Sequence, residues 1–213
     1  MTNRIRISGD DVLLIVDVQN DFVSGSLAIP QAETIVPVIN GLVGKFDHVI
    51  AAQDWHPSGH VSFASAHPGR SSGEMIDASY GPQRLFNDHC VQGTPGAEFH
   101  PDLELGKLEL ILRKGYRREV DSYSAFFEND QKTVTGLAAY LRARGFRRVF
   151  CAGLALFGCV KATAEGARRE HFEAVIIEDA GKARPVADDA NERAERALRD
   201  LGVGFVTSTQ FVP

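Results

Sequence analysis

The chain has 213 residues, 44% of them hydrophobic and 24% charged, which is ordinary globular composition with enough length for a sizeable core. A net charge of -5 offers no electrostatic footprint for nucleic acid or an anionic membrane, and leaves small neutral molecules as natural partners, with self-association open. Three cysteines, Cys90, Cys151 and Cys159, make a disulfide framework a poor reading and point to a reducing, cytoplasmic setting.

The N-terminal stretch MTNRIRISGDD has two arginines but no apolar segment, and the VLLIV run after it is too short to export or to span a bilayer. That run begins the first predicted strand, Val12–Asp17, and five more follow: His48–Gln53, Glu109–Arg113, Val149–Gly153, Ala174–Glu178 and Val203–Thr207. All are rich in Val, Ile, Leu or Phe without strict alternation, as in strands covered on both faces. Helical periodicity lies between most of them. In Lys132–Arg144, Val134, Leu137, Ala138 and Leu141 share one face, and Gly145 supplies a stop. Val160–Glu170 and Val186–Leu201 are Ala-rich and charged on one side. Strands alternating with helices predict an α/β fold: a mostly parallel, Rossmann-like sheet of about six strands with helices on both faces. The stretch from about 54 to 106 is rich in Pro, Gly, Ser and His and lacks periodicity, so it reads as a functional insertion within one domain spanning 1–213.

In open parallel sheets, ligands bind beyond the carboxyl ends of the strands. Four predicted strands deliver Asp17, Asp54, Lys114 and, after a short turn, Cys159 to that edge. Singly, each has a bland alternative: Asp17 caps a turn, Lys114 snorkels, Cys159 is core. Their convergence favours an active site. A cysteine at a helix N-terminus beside a lysine is expected to favour the thiolate, with Asp17 available to accept the thiol proton.

A metal constellation adjoins them. Asp54 and His56, two apart in extended chain, point to one face; His60 follows in a turn, and His89 sits in the insertion. Such an N/O donor set suits Zn²⁺, Fe²⁺ or Mn²⁺ with positions left open, and would help hold the insertion. Against this stands the reading of His56 and His60 as ordinary polar turn residues. Nothing indicates an organic cofactor.

Asp17-Val18-Gln19-Asn20-Asp21-Phe22, Gln53-Asp54-Trp55-His56-Pro57, His89-Cys90-Val91-Gln92-Gly93-Thr94, Arg113-Lys114-Gly115, Asp121-Ser122-Tyr123-Ser124-Ala125-Phe126, Gly153-Leu154-Ala155 and Cys159-Val160-Lys161-Ala162-Thr163-Ala164 follow one another along nearly the whole chain. In these segments it resembles the nicotinamidases (pyrazinamidases) of the isochorismatase-like cysteine hydrolases. The resemblance implies an Asp17, Lys114, Cys159 triad and one divalent metal on Asp54, His56 and His89. His60 matches a position that ligates metal in some members only. It further implies an oxyanion hole from the N–H groups of Ala155 and Cys159, a cis Leu154–Ala155 bond, hydrolysis of nicotinamide or pyrazinamide to the acid and ammonia through an acyl-enzyme, and a place in pyridine nucleotide salvage. Phe22, Phe86 and Tyr123 are the candidate substrate walls, each with an ordinary core reading beside it.

Leu156-Phe157-Gly158 departs from the family pattern, which usually has an acid and then an aromatic or His before the cysteine. Phe86 and Asn87 depart as well, standing where tryptophan and proline are usual. A pocket opened at Gly158 admits a bulkier amide, so a related amidase for another small amide, and a weakly catalytic metal- or ligand-binding relative, remain the alternatives.

Overall fold

All six expected runs form strands in the computed structural model, which describes residues 4–186 and 189–212. They are β1 (Asp11–Val16), β2 (Val49–Asp54), β3 (Leu108–Lys114), β4 (Arg148–Leu154), β5 (Glu173–Lys182) and β6 (Gly204–Val206). Every pairing in this sheet is parallel, in the order β3-β2-β1-β4-β5-β6.

Residue alternation in β1 explains the two cores. Leu13 and Ile15 face one cluster with Ile35, Ile39, Phe46 and Phe150; Val12, Leu14 and Val16 face another with Leu141, Val160 and Ile176. Helices α1 (Ile35–Val43), α2 (Leu137–Ala143), α3 (Lys161–Arg169) and α4 (Ala190–Asp200) cover the sheet. Among the described residues, no helix is long and apolar enough to cross a membrane.

Three sequence expectations are corrected. Strand β3 is an edge and alternates in burial, with Ile111 46% exposed, so it is not covered on both faces. The helix expected over Lys132–Arg144 begins only at Leu137. Asp130 accepts from the N–H groups of Lys132 and Thr133, and Gly136 takes φ 94°, so the preceding residues form a turn. At the other end Gly145 does stop it, at φ 77°. The helix expected over Val186–Leu201 starts at Ala190, residues 187 and 188 lying outside the described range.

The insertion is more ordered than its composition suggests. Met75–Ala78 and Gly81–Arg84 pair as an antiparallel hairpin. Gln83, buried at the hairpin, donates to Asp121 Oδ2 at 3.1 Å and to the Tyr123 hydroxyl at 3.0 Å. Nearer the sheet, Asp21 Oδ2 accepts from the Cys90 N–H at 2.7 Å. Direct polar bonds thus hold the insertion to the sheet edge, independently of any ion.

Candidate active site and cation site

The strand order reverses between β1 and β4, and a crevice opens where the loops leave in opposite directions. Asp17 follows β1 directly, in a left-handed conformation (φ 52°) that turns the chain sharply into the crevice. Aspartate tolerates that region better than most residues. Register sets Asp54 and Lys114 as direct partners at the ends of β2 and β3. From β4 the chain passes through a cis Leu154–Ala155 bond and a π-type turn, Leu156–Val160, that delivers Cys159 just ahead of α3.

Lys114 is the hub. Its Nζ lies 2.8 Å from Asp17 Oδ2, 2.5 Å from Asp54 Oδ1, 3.1 Å from the Ser122 carbonyl and 3.5 Å from Cys159 Sγ. Lys114 and both carboxylates are buried. Burial alone would neutralise the lysine, but Asp17 and Asp54 outweigh it and hold the ammonium well above its ordinary pKa. Burial, then the charge of Asp54, raises Asp17 to about 7 despite Lys114. Burial also raises the Cys159 thiol well above its usual value, against the pull of Lys114. The expectation of a resting thiolate therefore gives way to a neutral thiol beside a carboxylate poised near neutrality.

Asp54 faces two ways. While Oδ1 meets Lys114, Oδ2 lies 3.6 Å from His56 Nε2 and 4.0 Å from His89 Nε2. The Nδ1 atoms of these histidines sit 2.8 Å from the carbonyls of Gly115 and Asn87. A carbonyl only accepts, so each Nδ1 bears a proton and each Nε2 is the atom that faces the carboxylate. Burial opposes charge on His56, but Asp54 outweighs it and raises the His56 pKa, so a cation bound here would take the place of the Nε2 proton. Three acceptors converging in a buried space fit a cation, and ligands about 2.0–2.2 Å from one ion leave room for these separations. Burial opposes charge on Asp54, yet Lys114 and His56 hold its carboxyl far below the usual range. Burial and then His56 push His89 down to about 4, as suits a neutral ligand. The close approach at Gly115 explains its residue type: φ is 64°, and a Cβ there would lie 2.4 Å from His56 Cε1.

His60 is placed differently. It stacks on His56 with centroids 4.2 Å apart and groups with His56 and Asp121 rather than with Asp54 and His89. Its Nδ1 is 2.7 Å from Ser62 Oγ and its Nε2 3.3 Å from the Val120 carbonyl.

A cavity of about 740 Å³ joins these groups, lined among others by Phe22, Phe86, Tyr123, Ala155, Gly158 and Cys159. Asp17 and Lys114 lie behind Cys159 rather than on the wall. Phe22 and Phe86 both pack edge-on against His89, at 5.5 and 5.7 Å between centroids, so they brace a candidate ligand as well as walling the cavity. The Ala155 carbonyl accepts from the N–H groups of Gly158 and Val160, on either side of Cys159.

One functional residue escaped the sequence reading. Gln19, fully buried, donates to the carbonyls of Asp54 at 2.7 Å and Ala97 at 2.8 Å, and accepts from the Asp54 N–H at 2.8 Å. It fixes the backbone of the carboxylate shared by both halves of the site; the signal was a long amide three residues after an apolar run. Replacing Gln19 by Ala leaves buried backbone groups unpaired and is expected to cost about 1–3 kcal/mol. Chemical denaturation of chelator-treated protein measures this, and an unchanged midpoint would refute the clamp.

Residues 11–210 match the isochorismatase domain model. A nicotinamidase of Acinetobacter baylyi is 47% identical over 199 residues, covering 93% of this chain and 91% of the relative. The structure of a nicotinamidase/pyrazinamidase of Acinetobacter baumanii is similar with a TM-score of 0.92 and 45% identity, covering 95% of this chain and 98% of that one. The zinc-bound pyrazinamidase of Pyrococcus horikoshii aligns with a TM-score of 0.75 and 32% identity, covering 93% of this chain and 99% of that one.

Proposed function

The chain belongs to the isochorismatase-domain family, and on that premise we propose that it is a nicotinamidase, with Cys159 as nucleophile, Asp17 as proton acceptor and donor, and Lys114 as the cation that balances them. The observation that carries the reading is the meeting of Cys159 Sγ, Lys114 and Asp17 with the Asp54, His56 and His89 cluster across one cavity.

The carboxamide carbon sits against Sγ, with its ring between Phe22, Phe86 and Tyr123. As sulfur attacks, its proton passes to Asp17, whose pKa near 7 suits transfer in both directions. Asp17 returns the proton to the leaving nitrogen, the C–N bond breaks and ammonia departs, leaving a thioester on Cys159. Water then attacks that carbonyl and Asp17 takes its proton; the C–S bond breaks, Asp17 returns that proton to the departing sulfur, and the acid is released. Lys114 stays protonated throughout and keeps one positive charge beside whichever of sulfur and Asp17 is negative. The N–H groups of Ala155 and Cys159 are the donors for the oxyanion, the neighbouring amides being spent on the Ala155 carbonyl. A divalent ion held by Asp54, His56 and His89 would supply a Lewis-acidic anchor for a ring nitrogen, and the zinc of the pyrazinamidase relative supports that donor set. His60 supports His56 by stacking in this arrangement.

Ammonia release from nicotinamide by zinc-, iron- or manganese-loaded protein tests the reading. Turnover is expected with nicotinamide and pyrazinamide, and to fall at least about ten-fold on chelation. No turnover of either amide with any of these ions would overturn it.

A further inference from the structure

The cavity has a second chemical character away from the reacting sulfur. Its volume of about 740 Å³ is that of sites for drug-sized ligands, about 300–1,000 Å³, and well beyond a single-ring amide. Two guanidinium groups, Arg184 and Arg84, line it. Arg184 lies just beyond β5 and Arg84 ends the hairpin strand Gly81–Arg84, and both line this one cavity. It is half-buried, and among the described residues its guanidinium makes one hydrogen bond, donating from Nη2 to the Leu27 carbonyl at 2.9 Å. Asn191, also on the cavity wall, donates to the Arg184 carbonyl at 3.3 Å and so braces its backbone.

Neither arginine pairs with a carboxylate among the described residues, although the cavity wall holds two. Asp54 is committed to Lys114 and the histidines. Asp121 accepts from the Ser122 N–H through Oδ1 and from Gln83 through Oδ2. Burial depresses the Arg184 pKa, and Arg184 lines the same cavity as Cys159. The guanidinium has donors left beyond the one spent on the Leu27 carbonyl, and its planar fork matches a carboxylate.

We propose that Arg184, with Arg84 at the mouth, forms a carboxylate subsite that lets this protein take amides bearing a carboxylate on the portion of the ring remote from the scissile group. The proposal rests on the amidase reading, since it places the scissile carboxamide at Cys159. The acid product, nicotinate, carries the same chemistry, and the test separates the two sources.

Metal-loaded wild type, Arg184→Gln and Arg184→Lys are compared by kcat/KM on ring-carboxylated nicotinamides and their ring-methyl counterparts, and by the inhibition constant of nicotinate. Wild type is expected to cleave at least one carboxylated amide. Arg184→Gln should lower kcat/KM on it by at least about ten-fold more than on the methyl counterpart, the scale of one lost charge-assisted contact. Arg184→Lys should recover part of that difference. An equal fall on both analogues would overturn the proposal and leave Arg184 as a brace for Leu27. Rejection of every carboxylated amide by wild type would also overturn it, and weakened nicotinate inhibition in that case would assign Arg184 to the product alone. Turnover of unsubstituted nicotinamide by wild type reports separately on the underlying reading. Should Arg184→Gln fail to fold, the lysine variant carries the comparison, because it keeps the charge and loses the fork.

Discussion

Cys159→Ala is expected to lose about four orders of magnitude or more in kcat on nicotinamide while still folding and binding a divalent ion. Of the three cysteines, Cys90 and Cys151 are fully buried, and burial raises both thiols, Cys151 to about 12. Cys159 alone lines the cavity, within 3.5 Å of the Lys114 ammonium. Its proton has an acceptor in Asp17, whose oxygens have no well-aligned hydrogen bond and meet Lys114 as an ion pair. A loss of that size corresponds to about 5.5 kcal/mol of barrier. Steady-state ammonia release measures it, with binding of the added metal as the control for an intact site. Near-normal activity in the variant would instead favour direct attack by metal-activated water, with Cys159 a bystander. Cys159→Ser separates the two further, because a hydroxyl keeps the shape of the site but is a much poorer nucleophile at this degree of burial.

The reactive edge was legible because each strand announces itself and ends on a residue that does not belong in a core. VLLIV runs into Asp17, HVIAAQ into Asp54 and LELILR into Lys114, and the sheet order then brings these ends together at the reversal between β1 and β4. Three such ends, with Cys159 close behind a fourth strand, would be hard to produce by packing requirements alone. The thiol's protonation state was not legible, because it depends on burial and on two carboxylates whose distances only the register fixes.

Other features were hidden for reasons that can be named. Helix α1 contains Pro37 and Gly41 and is apolar on most sides, so its periodicity is faint although Pro37 in the first turn costs it nothing. The open face of β3 carries Glu109 and Arg113 with Ile111 between them; the exposure of Ile111 reflects the strand's position at the sheet edge, which is a property of topology. The hairpin is short and its burial rests on Gln83, a polar residue that hydrophobic patterning ignores. Arg184 sits in a loop with no motif around it; only the shape of the cavity and the absence of an acidic partner among the described residues give it meaning. The open wall expected at Gly158 agrees with that shape, since Gly158 lines the cavity and a Cβ there would meet nothing closer than Ala155 Cβ at 3.4 Å.

Lys114→Met is expected to destabilise chelator-treated protein by about 3–5 kcal/mol, the scale of breaking a buried ion pair by removing one partner. Methionine matches the length of the stem and keeps its packing, so the change isolates the charge. Asp17 and Asp54 then share a buried space with no cation, and Asp17, already raised to about 7 with Lys114 present, has lost its one ion-pair partner. The variant should relieve the conflict by binding a proton there, and its activity should fall as well, because Asp17 no longer receives the thiol proton as a carboxylate. An ion at Asp54, His56 and His89 supplies positive charge from the other side, so the loss should shrink when metal is added. Adding Asp17→Asn to Lys114→Met removes the second unpaired charge and should recover part of the loss, a coupling that a double-mutant cycle reads directly. Urea denaturation of the four proteins, with and without metal, measures all of this. A loss below about 1 kcal/mol, the range of exposed ion pairs, would mean that water reaches the triad and that Lys114 acts on chemistry alone.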